Sequence, residues 1–377
     1  MTDPATGTRA DTVTGTGADT VAGTVAAGKA GGEADLRVGL VGYGVAGAFF
    51  HAPLIAATPG LRLSSVVTRS PERAAEVGEK YGARAVGDAE ELWESSDLVV
   101  VASPNRTHVP LTEAALRAGL PVVVDKPLAA TAREARGLIE LAGERGLMLT
   151  VFQNRRWDGD FLTIRRLLSS GELGAVNRLE SRFERWRPTP KGGWREAGGA
   201  DEVGGLLYDL GSHLVDQALL LLGPVTHVYA EADVRRPGVA SDDDVFVALT
   251  HVSGARSHLW ASALAPRLGP RFRVLGSRAG YLKNGLDVQE ERLRAGLTPD
   301  SPGFGEEPQE RWGTLGVDEA DHPVRTEPGA YLDFYRGVVA SLREGAPPPV
   351  DPEETVEALT VLEAARRSAA EGRVVAL

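Results

Sequence analysis

The chain of 377 residues contains no cysteine. Disulfides, thiolate nucleophiles and cysteine-ligated zinc or iron–sulfur centres are excluded, so catalysis must rely on oxygen and nitrogen groups. The remaining metal-type ligands do not cluster along the sequence, and no catalytic metal is expected. Nowhere is there the run of roughly 18 apolar residues needed for a membrane-spanning helix. The opening residues lack both the basic and the apolar region of a signal peptide. Basic charge is also short: 41 Lys and Arg face 52 Asp and Glu, a net charge of -11. That balance argues against nucleic acid or an anionic membrane as a partner. A soluble, cytoplasmic protein acting on small solutes is the expectation, and no internal repeat complicates it.

What is present suggests two domains, since the length exceeds what one hydrophobic core usually supports, and 42% hydrophobic residues suffice to pack both. Residues 1–35 are rich in Gly, Ala, Thr and Asp and read as a disordered tail. From 36 to 153, short apolar runs at 36–42, 61–68, 97–102, 121–125 and 147–152 alternate with amphipathic stretches at 46–57, 71–81, 108–118 and 131–145. This is the pattern of βαβ units on a parallel sheet. From 154 to 377 the texture changes: helices are expected at 158–170, 209–222, 331–343 and 352–371, and successive strands over 225–283. Ser253-Gly254-Ala255 is a plausible hairpin turn within them. Residues 286–327, rich in Gly, Pro and acidic side chains, read as a long irregular loop.

Gly42-Tyr43-Gly44-Val45-Ala46-Gly47 places a Gly-x-Gly-x-x-Gly motif between the first strand and the first helix. In that context the glycines permit a tight turn, approach of pyrophosphate to the backbone, and close helix–strand packing, so a dinucleotide is the expected cofactor. The alternative is a tight strand–helix turn without nucleotide. At the end of the second strand, where NAD enzymes usually carry an acidic residue, stand Thr68, Arg69 and Ser70. Arg69 with two hydroxyl donors suits a 2′-phosphate, giving NADP(H) as the preferred cofactor and NAD(H) as the second possibility. Arg69 could instead be a solvated strand-end residue.

Val122-Val123-Val124-Asp125-Lys126-Pro127 ends an apolar strand on a carboxylate and an ammonium group. Pro127 restricts the backbone of Lys126, so the ammonium is presented from a defined position at the ligand-binding edge of the sheet, and the Lys–Pro bond is a candidate cis peptide. Otherwise Lys126 is an exposed surface lysine. Asp209 and His213 are four residues apart on an expected helix. Oxidising a secondary alcohol needs one general base, a task suited to histidine; the competing reading makes Asp209 a helix N-cap and His213 a first-turn residue. Ser103, Asn105 and His108 follow the third apolar run and are candidates to touch the nicotinamide ribose, although Asn105 or Thr107 could equally cap the next helix. Arg155-Arg156-Trp157 and Arg185-Trp186-Arg187 could line a polar substrate pocket or pack arginine on tryptophan for structural reasons.

Together, the glycine loop, Asp125-Lys126-Pro127 and Asp209-x-x-x-His213 resemble the glucose–fructose oxidoreductase/inositol dehydrogenase (Gfo/Idh/MocA) family. The strings Phe152-Gln153-Asn154-Arg155-Arg156-Trp157-Asp158 and Gly285-Leu286-Asp287-Val288-Gln289-Glu290-Glu291-Arg292-Leu293, with the segment around His213, look like its NADP-dependent scyllo-inositol dehydrogenase branch. The resemblance implies an α/β protein: an N-terminal Rossmann domain plus a C-terminal α/β domain with a large, mainly antiparallel open-faced sheet that mediates a homodimer or homotetramer. It also implies that Lys126 binds the reacting hydroxyl and ribose, and that His213, oriented by Asp209, exchanges the proton. Most of the family carries Glu where this chain has Asp125. The expected activity interconverts a secondary alcohol and a ketone on a small-molecule cyclic polyol or sugar, scyllo-inositol first, with a sugar or keto-glycoside reductase and a catalytically silent nucleotide sensor as alternatives.

Overall fold

Continuous apolar runs in a parallel sheet are buried on both faces, and the central strands of the first sheet, Leu98–Val101 above all, obey this. The six strands of that sheet are β1 (Leu36–Val41), β2 (Leu61–Val67), β3 (Arg84–Val86), β4 (Leu98–Val101), β5 (Val122–Asp125) and β6 (Leu149–Phe152). All pair in parallel in the order β3-β2-β1-β4-β5-β6. The order reverses between β1 and β4, which opens the ligand crevice at their carboxyl ends. The computed structural model describes residues 34–190, 192 and 204–377, so all but the last two residues of the expected tail lie outside the described residues.

The helices α1 (Ala52–Ala57), α2 (Pro71–Tyr81), α3 (Glu90–Trp93), α4 (His108–Arg117) and α5 (Ala132–Arg145) connect these strands. Two have strong local boundary signals: Ser70 caps the start of α2 and Gly82 ends it at φ 61°, while Thr131 and Glu134 form a capping box at the start of α5. The helix expected at 46–57 is not uniform. Residues Gly47–His51 form a π-helical turn in which the Ala52 N–H bonds to the Gly47 carbonyl. Pro53 follows at once and has no N–H to continue a regular ladder.

The second sheet is mixed. It comprises β7 (Val176–Glu184), β8 (Val225–Asp233), β9 (Asp244–His251), β10 (Arg256–Ser262), β11 (Phe272–Gly276), β12 (Gly280–Lys283), β13 (Gly313–Gly316), β14 (His322–Val324) and β15 (Val375–Ala376). Its order is β14-β13-β12-β11-β7-β10-β9-β8-β15, with β7 and β10 parallel and the other neighbours antiparallel. The helices are α6 (Gly159–Ser169), α7 (Leu206–Asp209), α8 (Gly211–Leu222), α9 (Gln289–Arg294), α10 (Tyr331–Glu344) and α11 (Pro352–Glu371). Helix α11 packs on β8 and α8 in this half and on α5 and β6 in the other, so the two cores are continuous.

Residues 286–327 are not one irregular loop. Helix α9 is started by the Asp287 carboxylate, which accepts the Gln289 N–H at 2.8 Å. Strands β13 and β14 extend the sheet edge. Lys283, fully buried, ties the segment down through Glu307 and the Asn284 and Arg311 carbonyls, each at 2.8 Å.

Candidate active site

Gly42 ends β1 at φ 101°, and a Cβ there would stand 2.7 Å from the Ala102 carbonyl oxygen on β4's exit. A Cβ on Gly47 would collide with the Gly42 carbonyl oxygen, whereas one on Gly44 would meet nothing within 4 Å. The loop is therefore closed on its inner side and open on its outer side, a shape that fits nucleotide phosphate against backbone N–H groups. Beside it a cleft of about 560 Å³ lies between Tyr43, Gly44 and Val45 on one wall and Arg73 and Leu297 on another. This cleft does not reach Lys126 or His213; it is room beside the loop, not the reacting centre. Tyr43 itself is buried and donates to Glu76 at 3.0 Å.

At the end of β2, Arg69 is exposed, with Asp88 at 3.4 Å as its only ion-pair partner among the described residues. Thr68 and Ser70 do not stand free beside it. Thr68 Oγ1 accepts the Ser70 N–H, while the Ser70 hydroxyl caps α2 and donates to Glu72 at 2.5 Å.

Lys126, reached through a cis peptide to Pro127, is 13% exposed. Its Nζ donates to the Asp209 carbonyl oxygen at 2.5 Å and to Asp209 Oδ1 at 3.0 Å. The expected continuous helix over 209–222 is broken at Leu210, where φ is -108°: Asp209 closes α7 and His213 lies in the first turn of α8. Leu210, not Asp209, holds the N-cap position. The Asp209 carboxylate, expected to orient the histidine, reaches Lys126 across this break and holds the ammonium group.

His213 is buried, with its ring 6.2 Å from Phe183, and its Nδ1 has no hydrogen-bond partner among the described residues. Burial, then the positive charges of Lys126 and Arg155, hold its pKa well below 6.5 against the opposing pull of Asp209. The imidazole is neutral at pH 7 and able to take a proton. Arg155 completes this group: it is bound by Glu290, donates to Tyr331 Oη at 3.2 Å, and has Asp158 at 3.5 Å. Tyr331 donates onward to Asp158 at 2.7 Å.

Other expected site residues are engaged in local contacts. Both ring nitrogens of His108 meet backbone carbonyls, those of Pro127 at 2.7 Å and Ser103 at 2.9 Å, so this buried ring fastens two loops together instead of facing a ribose. The Ser103 hydroxyl pairs with that of Thr107 at 2.6 Å, and Asn105 opens a 3₁₀ turn. The Arg156 guanidinium is taken by Asp216 and Glu354. Trp157 packs edge-on against Phe334 at 5.5 Å. A substrate-binding role for Arg156 and Trp157 therefore has no geometric basis. Residues unassigned by sequence also enter: Glu290, Asp158, Tyr331 and Phe183. Of these, Asp158 and Glu290 stand inside the two distinctive strings, but nothing local marked Tyr331.

Residues 36–153 match the Gfo/Idh/MocA family described as "Oxidoreductase family, NAD-binding Rossmann fold", and residues 165–377 match its "C-terminal alpha/beta domain". The chain belongs to the Gfo/Idh/MocA oxidoreductase family. Among Gfo/Idh/MocA relatives, it is 36% identical to scyllo-inositol 2-dehydrogenase (NADP(+)) IolW of Bacillus subtilis, covering 91% of this chain and 96% of that protein. It is 39% identical to the uncharacterized oxidoreductase YdgJ of Escherichia coli, covering 89% and 96%. The solved structure of the oxidoreductase yvaA from Bacillus subtilis superposes with a TM-score of 0.86 at 35% identity, over 91% of this chain and 99% of the other. The chain is thus an oxidoreductase with a Rossmann nucleotide-binding domain and a C-terminal α/β domain. No helix among the described residues is long and apolar enough to cross a membrane, and no group of three or more His, Asp or Glu among them could hold a metal ion.

Proposed function

We propose that this oxidoreductase prefers NADP(H) and interconverts a secondary hydroxyl and a ketone on a cyclic polyol or sugar, with scyllo-inositol the leading candidate. The observation that carries the reading is the meeting of Lys126, fixed by Asp209, with a buried neutral His213. When bound, the nicotinamide supplies the hydride acceptor. The glycine loop and the first turn after it would hold the pyrophosphate, and exposed Arg69 would meet a 2′-phosphate. Lys126 would hold the substrate oxygen and stabilise it as its proton leaves; His213 would receive that proton. The NADP-linked name of the Bacillus subtilis relative supports both cofactor and substrate. The same reading places the protein in the cytoplasm as a homodimer or homotetramer, built from nucleotide and substrate domains meeting near residue 153.

Steady-state oxidation of scyllo-inositol with NADP+ and NAD+ tests the assignment. We expect turnover, a lower Michaelis constant for NADP+, and a loss of at least about a hundredfold in kcat for Lys126→Ala and His213→Ala. Full activity in either variant would remove the catalytic assignment, and a clear preference for NAD+ would remove the cofactor assignment.

A further inference from the structure

Beside the site stands a basic residue that has no partner among the described residues. Arg185 immediately follows β7, and its backbone stays paired beyond the strand end: its N–H bonds to the Ser262 carbonyl at 2.9 Å and its carbonyl accepts the Ala265 N–H at 3.1 Å. Alternate residues of an extended chain share a face. Arg185 therefore belongs to the face of Ser181 and Phe183, which carries the Arg271 guanidinium and the His213 ring, while Arg182 stacks on Trp260 on the opposite face. The Arg185 side chain is half-buried and lies within electrostatic reach of both Asp209 and Glu290. Those carboxylates are already engaged, Asp209 by Lys126 and Glu290 by Arg155 and Arg294. Among the described residues the Arg185 guanidinium makes no hydrogen bond or ion pair.

A guanidinium partly withdrawn from water without an acceptor carries part of that desolvation cost. Its planar fork matches carboxylate and phosphate oxygens in pairs. We infer that Arg185 can receive an anionic group, so that beyond scyllo-inositol the site takes polyols or sugars bearing a carboxylate or a phosphate and binds each more tightly than its own uncharged counterpart. The inference rests on the oxidoreductase reading for the reaction, but recognition of the anion is measurable without turnover.

The test is calorimetric titration of the NADPH-loaded protein with D-glucose, D-glucuronate, scyllo-inositol and myo-inositol monophosphate, repeated for Arg185→Gln and Arg185→Lys. We expect at least one anion to bind about tenfold or more tighter than its neutral counterpart, the size of one charge-assisted contact. Glucuronate and the phosphate distinguish the two sources of charge. Arg185→Gln should abolish the difference while retaining NADPH binding and the wild-type melting temperature; Arg185→Lys, keeping charge but not the fork, should retain part of it. If Arg185→Gln does not fold, a partial loss in Arg185→Lys supports the inference equally, and an undiminished preference there overturns it. Neutral ligands binding as tightly as the anions would also overturn the inference, and so would variants that weaken NADPH instead. Turnover of scyllo-inositol in that case would leave the oxidoreductase reading standing. An anion preference lost in the variants, with no turnover of any probe, would uphold Arg185 and remove the polyol reading.

Discussion

Arg156→Met keeps an unbranched side chain and removes the charge, which isolates what the buried pair with Asp216 contributes. Asp216 is 3% exposed and accepts two bonds from this guanidinium, at 2.9 and 2.5 Å. Glu354, 45% exposed, is screened by water and contributes little. Without arginine, Asp216 must stay ionised in a dry site or bind a proton, and burial already raises its pKa with the arginine present. Protonation sets the ceiling: keeping an aspartate neutral at pH 7 costs about 1.4 kcal/mol for each unit above an unfolded value near 3.9, about 4 kcal/mol in all. Breaking a buried pair typically costs about 3–5 kcal/mol, in agreement. The sign follows from proton uptake. The folded variant holds a proton that the unfolded chain releases, so its stability falls as pH rises above about 4. Its deficit should therefore shrink by about 2–3 kcal/mol between about pH 7.5 and about pH 5.5. Urea unfolding followed by tryptophan fluorescence measures this, and Arg156→Met with Asp216→Leu should recover most of the loss. An unaltered urea midpoint, or a deficit equal at both pH values, would refute the reasoning; a raised substrate Michaelis constant with unchanged stability would return Arg156 to the substrate pocket.

Because His213 is held below 6.5, the oxidation rate should stay level as pH falls through that value; a pH–rate profile with a histidine midpoint at or above 6.5 would contradict its burial among cations. Gly47→Ala forces a methyl group onto the Gly42 carbonyl oxygen and should weaken nucleotide binding at least about tenfold, read by NADPH fluorescence titration. Arg69→Asp should raise the Michaelis constant for NADP+ and move the preference toward NAD+, since it replaces an exposed cation with a carboxylate. Lys283→Met strips the buried Glu307 carboxylate of its ammonium partner and should cost about 3–5 kcal/mol in urea unfolding.

The first half was legible because its signals are local. Strand β4 reads Leu-Val-Val-Val and is buried throughout, and α2 and α5 carry their own caps. Strand β7 escaped notice: Arg178, Glu180, Arg182 and Glu184 occupy every second position, leaving few apolar residues to betray it. Strands β13 and β14 hold four and three residues and exist through pairing with distant partners, for which their own sequence has no marker. At the site, Lys126 and His213 could be found from residue type and place, but a four-residue spacing could not reveal the break at Leu210 across which Asp209 reaches Lys126. Arg155, Arg156 and Trp157 form a 3₁₀ turn, in which successive side chains point about 120° apart. Neighbours in sequence there are sent to Glu290, Asp216 and Phe334.

The Lys126–Asp209 bond joins an ammonium from the nucleotide half to a carboxylate from the other half. Under the proposed function, neither half contains a reacting centre that could be inherited by itself. A recombined gene joining this Rossmann half to a foreign substrate half would carry over cofactor preference, but would present a lysine whose acceptor must be supplied anew. Divergence that preserves this joint is confined to the surrounding walls, and Arg185, outside both members of the bond, is the kind of position at which a lineage can change substrate without rebuilding its chemistry.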